Sequence, residues 1–112
     1  LYGRVLRPQD RVAVKPHAGP VFHALQYLAG KQTLEKMQNF RGLGGVQSYP
    51  SRTKDTADVD FSTGSVGLGV AITAFASLVQ DYVRARGWGT GPEGRMVALV
   101  GDAELDEGNI YE

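Results

Sequence analysis

The sequence contains no cysteine, which excludes a disulfide framework and any thiolate-held metal centre. It carries no net charge either. With 12 Lys and Arg against 12 Asp and Glu, no long-range field would draw the chain to nucleic acid or an anionic membrane, and neither is expected as a partner. No apolar run reaches the ~20 residues that span a bilayer, since the longest, 66–79, is broken by Gly, Thr and Ser. The amino end, Leu1-Tyr2-Gly3-Arg4, has neither an initiator Met nor an apolar leader and reads as the interior of a longer chain. Cytoplasmic residence is the expectation. Histidine occurs only twice and no Ser sits in a nucleophile elbow, so a catalytic triad has no support.

What is present suffices for one domain. The apolar fraction is 42%, enough to build a core at this length. Arg11-Val12-Ala13-Val14-Lys15 is a β-branched run closed by Pro16, which predicts a strand feeding a loop. Val21, Phe22, Leu25 and Leu28 then recur at near-helical spacing behind Pro20, predicting a short buried helix that stops at Gly30. Thr33 is placed to cap a second small helix in which Leu34, Met37 and Phe40 recur every three residues. Residues 41–63 are rich in Gly, Ser, Asp and Thr without a period, and a loop of that length is functional or disordered.

The longest periodic segment, 65–86, predicts a helix buried nearly all round, ended by the breaker-rich Gly87-Trp88-Gly89-Thr90-Gly91-Pro92. Arg95-Met96-Val97-Ala98-Leu99-Val100 follows as a continuous apolar run, the pattern of a central parallel strand covered on both faces. It ends at Gly101-Asp102. Helix, loop, buried strand and polar strand end make half of a doubly wound α/β unit, and such sheets bind ligands at the carboxyl edge of their strands. Residues 1–112 are therefore read as one partial, truncated domain of α/β class.

Three segments could carry chemistry. Gly101-Asp102-Ala103-Glu104-Leu105-Asp106-Glu107 puts four carboxylates in six positions just past the strand. Asp106 and Glu107 suit a solvated helix start, whereas Asp102 is held near the sheet edge and can offer an oxygen to a hard cation. A calcium loop is excluded by Glu107 at its sixth position, where that loop needs Gly. Gly64-Ser65-Val66-Gly67-Leu68-Gly69 opens the long helix and could cradle a phosphate, although it matches neither the dinucleotide fingerprint nor a P-loop. Alternatively, Gly67 and Gly69 let the helix pack closely on neighbouring backbone. His17, between Pro16 and Ala18-Gly19-Pro20, is held by stiff backbone and could donate to a phosphate or act as acid or base. His23, between Phe22 and Leu25, reads as a packed or solvent-edge histidine.

Together and in order, these segments resemble the transketolase-like thiamine-diphosphate enzymes, and more closely the homodimeric first component of the pyruvate dehydrogenase complex. Lys15-Pro16-His17-Ala18-Gly19-Pro20 is similar to the family's early His-containing loop. Ser48-Tyr49-Pro50 resembles the pyruvate dehydrogenase form of a motif in which transketolases carry His for Tyr. Phe61-Ser62-Thr63-Gly64-Ser65-Val66-Gly67-Leu68-Gly69 looks like the loop before the family's long helix, and the acidic run is similar to the Gly-Asp-Gly-Glu-Met-Asp-Glu that opens its cofactor motif.

The resemblance implies a doubly wound parallel-sheet domain that binds thiamine diphosphate and Mg2+. Asp102 would coordinate the metal, with Gly101, Ala103 and Glu104 beside the diphosphate. His17 would face the diphosphate or the substrate, Tyr49 would line the active-site channel, and Gly64, Ser65 and Val66 would meet the cofactor's rings. Ala103 stands where the family has Gly, which matters if the backbone there needs positive φ or a very close approach of the phosphate. A further metal-ligating Asn and the glutamate that activates the cofactor would lie outside these residues. The implied activity is decarboxylation of a 2-oxo acid such as pyruvate in a homodimer that serves an acyl-carrier component. Ketol transfer between sugar phosphates, or a catalytically silent fragment, is the alternative.

Overall fold

A computed structural model of the chain describes residues 1–55 and 58–112. Two short strands, β1 (Arg11–Val14) and β2 (Met96–Leu99), pair in parallel, with Arg11 opposite Met96 and Val14 opposite Leu99. Three helices accompany them: α1 (Gly19–Leu28), α2 (Leu34–Gln38) and α3 (Leu68–Ala85). Short 3-10 turns follow each strand, one at Pro16–Ala18 after β1 and two, at Ala103–Asp106 and Gly108–Ile110, after β2. The architecture is α/β with a parallel sheet, and the sheet among the described residues has two strands.

β1 is the centre of the core because both of its faces are covered. Val12 and Val14 pack with Phe22 of α1 and Val59 of the long loop. Ala13 alternates to the other side, where its Cβ lies 3.5 Å from the position a Gly69 side chain would occupy. α3 packs across both strands, and the Gln80 amide ties it to the start of β2 by donating to Gly94 O at 3.0 Å and accepting Gly94 N–H at 3.1 Å.

The parallel pairing is stapled at its amino end by a carboxylate. Asp10 has a fully buried side chain. Arg95, at the start of β2, gives it the backbone N–H at 2.8 Å and the guanidinium at 2.6 and 3.0 Å. Arg7 adds its own N–H at 2.9 Å and a second guanidinium at 3.1 Å. The Arg95 hydrogen bonds, followed by those from Arg7, outweigh burial and hold the Asp10 carboxyl well below the usual carboxylate range.

Elsewhere the structure departs from the sequence pattern in three places. α1 buries Phe22, His23 and Gln26, whereas Val21 and Leu28 are 61% and 80% exposed. The helix packs on the polar loop: the His23 ring donates from Nε2 to Gln47 O at 2.8 Å, and that bond sets the face turned inward. α3 starts at Leu68 because Gly67 adopts a left-handed φ of +83° that a helix cannot continue through. Its outer face is open, with Phe75, Leu78, Val79 and Tyr82 all more than half exposed. The expected all-round burial is thus not met by the described residues. β2 is only partly buried for the same reason, since β1 covers one of its edges and α3 one of its faces.

The remaining elements follow their local signals. The Thr33 hydroxyl accepts the Lys36 N–H at 3.3 Å and caps α2. α3 closes with Trp88 N–H on Val83 O and Gly87 N–H on Arg84 O, the paired bonds of a Schellman stop. Residues 41–63 form no helix or strand among those described, and side chains hold them instead. The Asp55 carboxylate accepts Gln47 N–H at 2.9 Å and Ser51 N–H at 2.7 Å, as turn-forming aspartates do.

Candidate functional site

The carboxyl ends of β1 and β2 point the same way, so whatever follows each strand meets at one edge. After β1 come Lys15 and the 3-10 turn that carries His17. After β2 come Gly101, Asp102 and the turn that carries Ala103 and Glu104. The loop that ends in Gly64, Ser65 and Val66 is brought to the same edge by Thr63, whose buried hydroxyl donates to Val14 O at 2.7 Å. Three segments far apart in sequence therefore converge there.

Two groups of residues form within this edge. In the first, the His17 and Tyr49 rings lie tilted with centroids 6.4 Å apart. Gly64 sits under the Tyr49 ring, where an added Cβ would lie 3.4 Å from Cδ2. Both rings are exposed on their outer sides. Ser65 is exposed and Val66 half-buried.

The second group is organised by Glu104. Its buried carboxylate accepts Gly101 N–H at 2.6 Å through one oxygen and Gly67 N–H at 3.2 Å through the other. A charged acceptor shared by two backbone donors is a strong tie, and it clamps the start of α3 to the end of β2. Gly67 is needed here on two counts. Its φ is left-handed, and an added Cβ would come within 2.9 Å of the Glu107 Cβ.

Asp102 differs from Glu104 in every respect. It is exposed, and its side chain makes no hydrogen bond or ion pair among the described residues. Its carboxylate is therefore free for a ligand. Ala103 is exposed as well, and the non-glycine residues with positive φ are Arg41 and Asp58 among those described. Ala103 thus adopts a conformation open to any residue, and replacing Gly by Ala there brings no backbone strain.

Lys15 was not singled out by the sequence pattern. The lysine is half-buried, and its stem crosses Gly101, with Cδ, Cε and Nζ at 3.5, 3.2 and 2.5 Å from where a Gly101 Cβ would sit. Thr63 was missed too, although its place directly before Gly64 was a usable signal. Asp10 belongs to the other end of the sheet and has no place in this edge. Two surface clefts of about 470 and about 490 Å³ open near Asp58 and Asp60, and neither is lined by His17, Tyr49, Asp102 or Glu104.

No cluster of three or more His, Cys, Asp or Glu side chains suited to an ion exists among the described residues. The arrangement does offer the free Asp102 carboxylate at the strand end, a lysine ammonium, two exposed rings and backbone held open by glycines. Those components suit an anionic ligand that brings its own metal oxygens.

No protein-family model matches the chain. Similarity to known proteins lies with pyruvate dehydrogenase E1 components: 33% identity over 101 residues to that of Haemophilus influenzae, 31% over 101 to that of Escherichia coli K12, and 30% over 103 to that of Mycobacterium tuberculosis. Each alignment takes in 88% of this chain and 11% of the relative, so the chain spans about a ninth of the length of the proteins it matches. By sequence the chain belongs with the pyruvate dehydrogenase E1 components, as the counterpart of one segment of them.

Proposed function

We propose that residues 1–112 form part of the diphosphate-binding domain of a thiamine-diphosphate- and Mg2+-dependent enzyme that decarboxylates a 2-oxo acid, with pyruvate as substrate. The observation that carries this reading is the convergence of the His17 turn, the Gly64 loop and the Gly101–Glu104 turn on one edge of a parallel sheet, joined through Thr63 and Glu104. The named relatives and the carboxyl-edge rule for α/β sheets support it. A doubly wound sheet would be completed by strands outside these residues.

The residues present fit the group. Magnesium takes near-octahedral oxygen ligation from one or two carboxylates plus phosphate oxygens and water, and Asp102 supplies one uncommitted carboxylate at the strand end. Gly101 and Ala103 would offer backbone to the diphosphate, while Glu104 would hold that backbone in place from behind. Gly64 and Ser65 would approach the cofactor rings, with Val66 as an apolar prop. His17 would donate a hydrogen bond to a phosphate or substrate oxygen, and Tyr49 beside it would wall the channel through which a 2-oxo acid enters. The chemistry that the cofactor supplies when bound is a nucleophilic carbon and an electron sink for cleavage next to a carbonyl.

A homodimeric, cytoplasmic parent that passes its product to an acyl-carrier component completes the proposal. The protein encoded by the complete reading frame should reduce an artificial acceptor in the presence of pyruvate, thiamine diphosphate and Mg2+. Activity with ketose phosphates alone would replace it with ketol transfer. Residues 1–112 by themselves bring one metal-ligating carboxylate, so calorimetry on this segment should find no micromolar binding of the cofactor. Micromolar affinity would overturn that part.

A further inference from the structure

We propose that Lys15 is a ligand-binding residue of this edge, its ammonium meeting a phosphate oxygen of the bound anion, and that Gly101 lacks a side chain so that the lysine can lie across it. The inference rests on the diphosphate reading above.

Charge is the first argument. Asp102, Glu104, Asp106 and Glu107 place four carboxylates in the segment that would receive an anion carrying several negative charges. Asp102 is offset if it holds a divalent cation, and Glu104 is taken up by two backbone N–H groups. Asp106 and Glu107 are exposed and screened by water. An anion brought to this edge still needs a cation close by, because like charges in a partly desolvated site repel strongly. Lys15 is a basic side chain that the structure lays over Gly101, at the head of this acidic turn.

Geometry is the second. Lys15 follows β1 directly, in extended backbone whose carbonyl accepts Ala18 N–H at 3.1 Å and closes the His17 turn. Its base is thus fixed to the same turn as His17. The stem runs over buried Gly101 and ends with Nζ 2.5 Å from the point a Cβ would occupy. Any side chain at Gly101 would push the ammonium away. The head has no carboxylate within ion-pair distance and no hydrogen-bond acceptor among the described residues. With no protein partner among the described residues, the ammonium is available to a ligand phosphate.

The test uses the protein from the complete reading frame and reads binding directly. Thiamine diphosphate is titrated in Mg2+ by calorimetry into wild type and Lys15→Met, a substitution that keeps most of the stem; thermal unfolding serves as the folding control. The Kd should rise by about tenfold or more in Lys15→Met, the loss expected for one charge-assisted hydrogen bond. Lys15→Arg should recover part of it. Gly101→Ala should weaken binding in the same direction, and the double variant should be no weaker than the worse single one, because both remove the same contact. Inorganic pyrophosphate with Mg2+ should show the same order.

An unchanged cofactor Kd in a folded Lys15→Met protein overturns the assignment, as does an unchanged Kd with a raised KM for pyruvate, which would give the lysine to the substrate carboxylate. Should Lys15→Met fail to fold, equal affinity in Lys15→Arg, Gly101→Ala and wild type overturns it instead. Failure of the wild type itself to bind the cofactor would overturn the diphosphate reading and this assignment with it.

Discussion

Glu104 reaches 37 positions back along the chain to accept the backbone N–H of Gly67 at 3.2 Å, while its other oxygen holds Gly101 N–H at 2.6 Å. One buried carboxylate thereby sets the relative position of the glycine loop and the acidic turn. An amide cannot replace it, because the NH2 of glutamine has no lone pair to offer the second N–H. Glu104→Gln should lower stability by about 1–3 kcal/mol, the cost of a buried donor left unsatisfied. Urea unfolding measures the loss, and faster amide exchange at Gly67 and Gly101 would locate it.

Gly67 carries the other half of this tie. Its φ of +83° and the 2.9 Å approach of an added Cβ to Glu107 both oppose a side chain. Gly67→Ala should cost about 1–2 kcal/mol from the left-handed backbone alone, and the steric contact adds to that. Gly69→Ala, where the new Cβ would meet Ala13 at an ordinary 3.5 Å, is the matched control and should be far milder in thermal unfolding.

Asp102 should behave in the opposite way. Being exposed and without side-chain partners among the described residues, it can become Asn with a stability change within about 0.5 kcal/mol. In the protein of the complete reading frame the same change should abolish Mg2+-dependent binding of thiamine diphosphate. A destabilised variant with cofactor affinity intact would contradict both halves.

Asp10 predicts an acid response. Its folded-state pKa is depressed by Arg95 and Arg7, so the unfolded chain takes up a proton at higher pH than the folded one. The stabilisation is complete above the ordinary aspartate value of about 4 and is lost as pH falls below it toward the depressed value. Unfolding free energy measured from about pH 6 down to about pH 2 should fall for wild type. Asp10→Asn should start lower and lose less over that interval.

The local signals were legible and the distant ones were not. β1, β2, α2 and the stop of α3 could be read because β-branched runs, a Thr cap and a Gly-rich breaker act over a few residues. Nothing in the local pattern marked Asp10 or its partners Arg7 and Arg95, the second of which lies 85 positions away. His23 reads as packed or solvent-edge and the structure buries it, but its bond to Gln47 joins a helix to a loop without periodicity. Apolar spacing alone therefore turned Val21, Leu25 and Leu28 inward when the structure leaves them out. Periodicity also overstated the burial of α3, because it reports that a helix has an apolar surface and is silent on whether these residues cover it. For the site, the segments that carry the motifs meet at one edge of the sheet. The division of labour within the acidic run, with Glu104 facing in and Asp102 facing out, depends on the 3-10 turn and had no signature of its own.

The staple between Asp10 and Arg95 spans 85 positions, and this has a bearing on biosynthesis. β1 leaves the ribosome early, and its partner strand arrives only after α3 has been made. At about 5–20 residues per second the wait is on the order of 4 to 17 s. Throughout it the edge of β1 that receives β2 is still without that partner and open to another strand nearby. Each nascent copy thus passes through a window of vulnerability, whose length is set by the distance along the chain between the two strands.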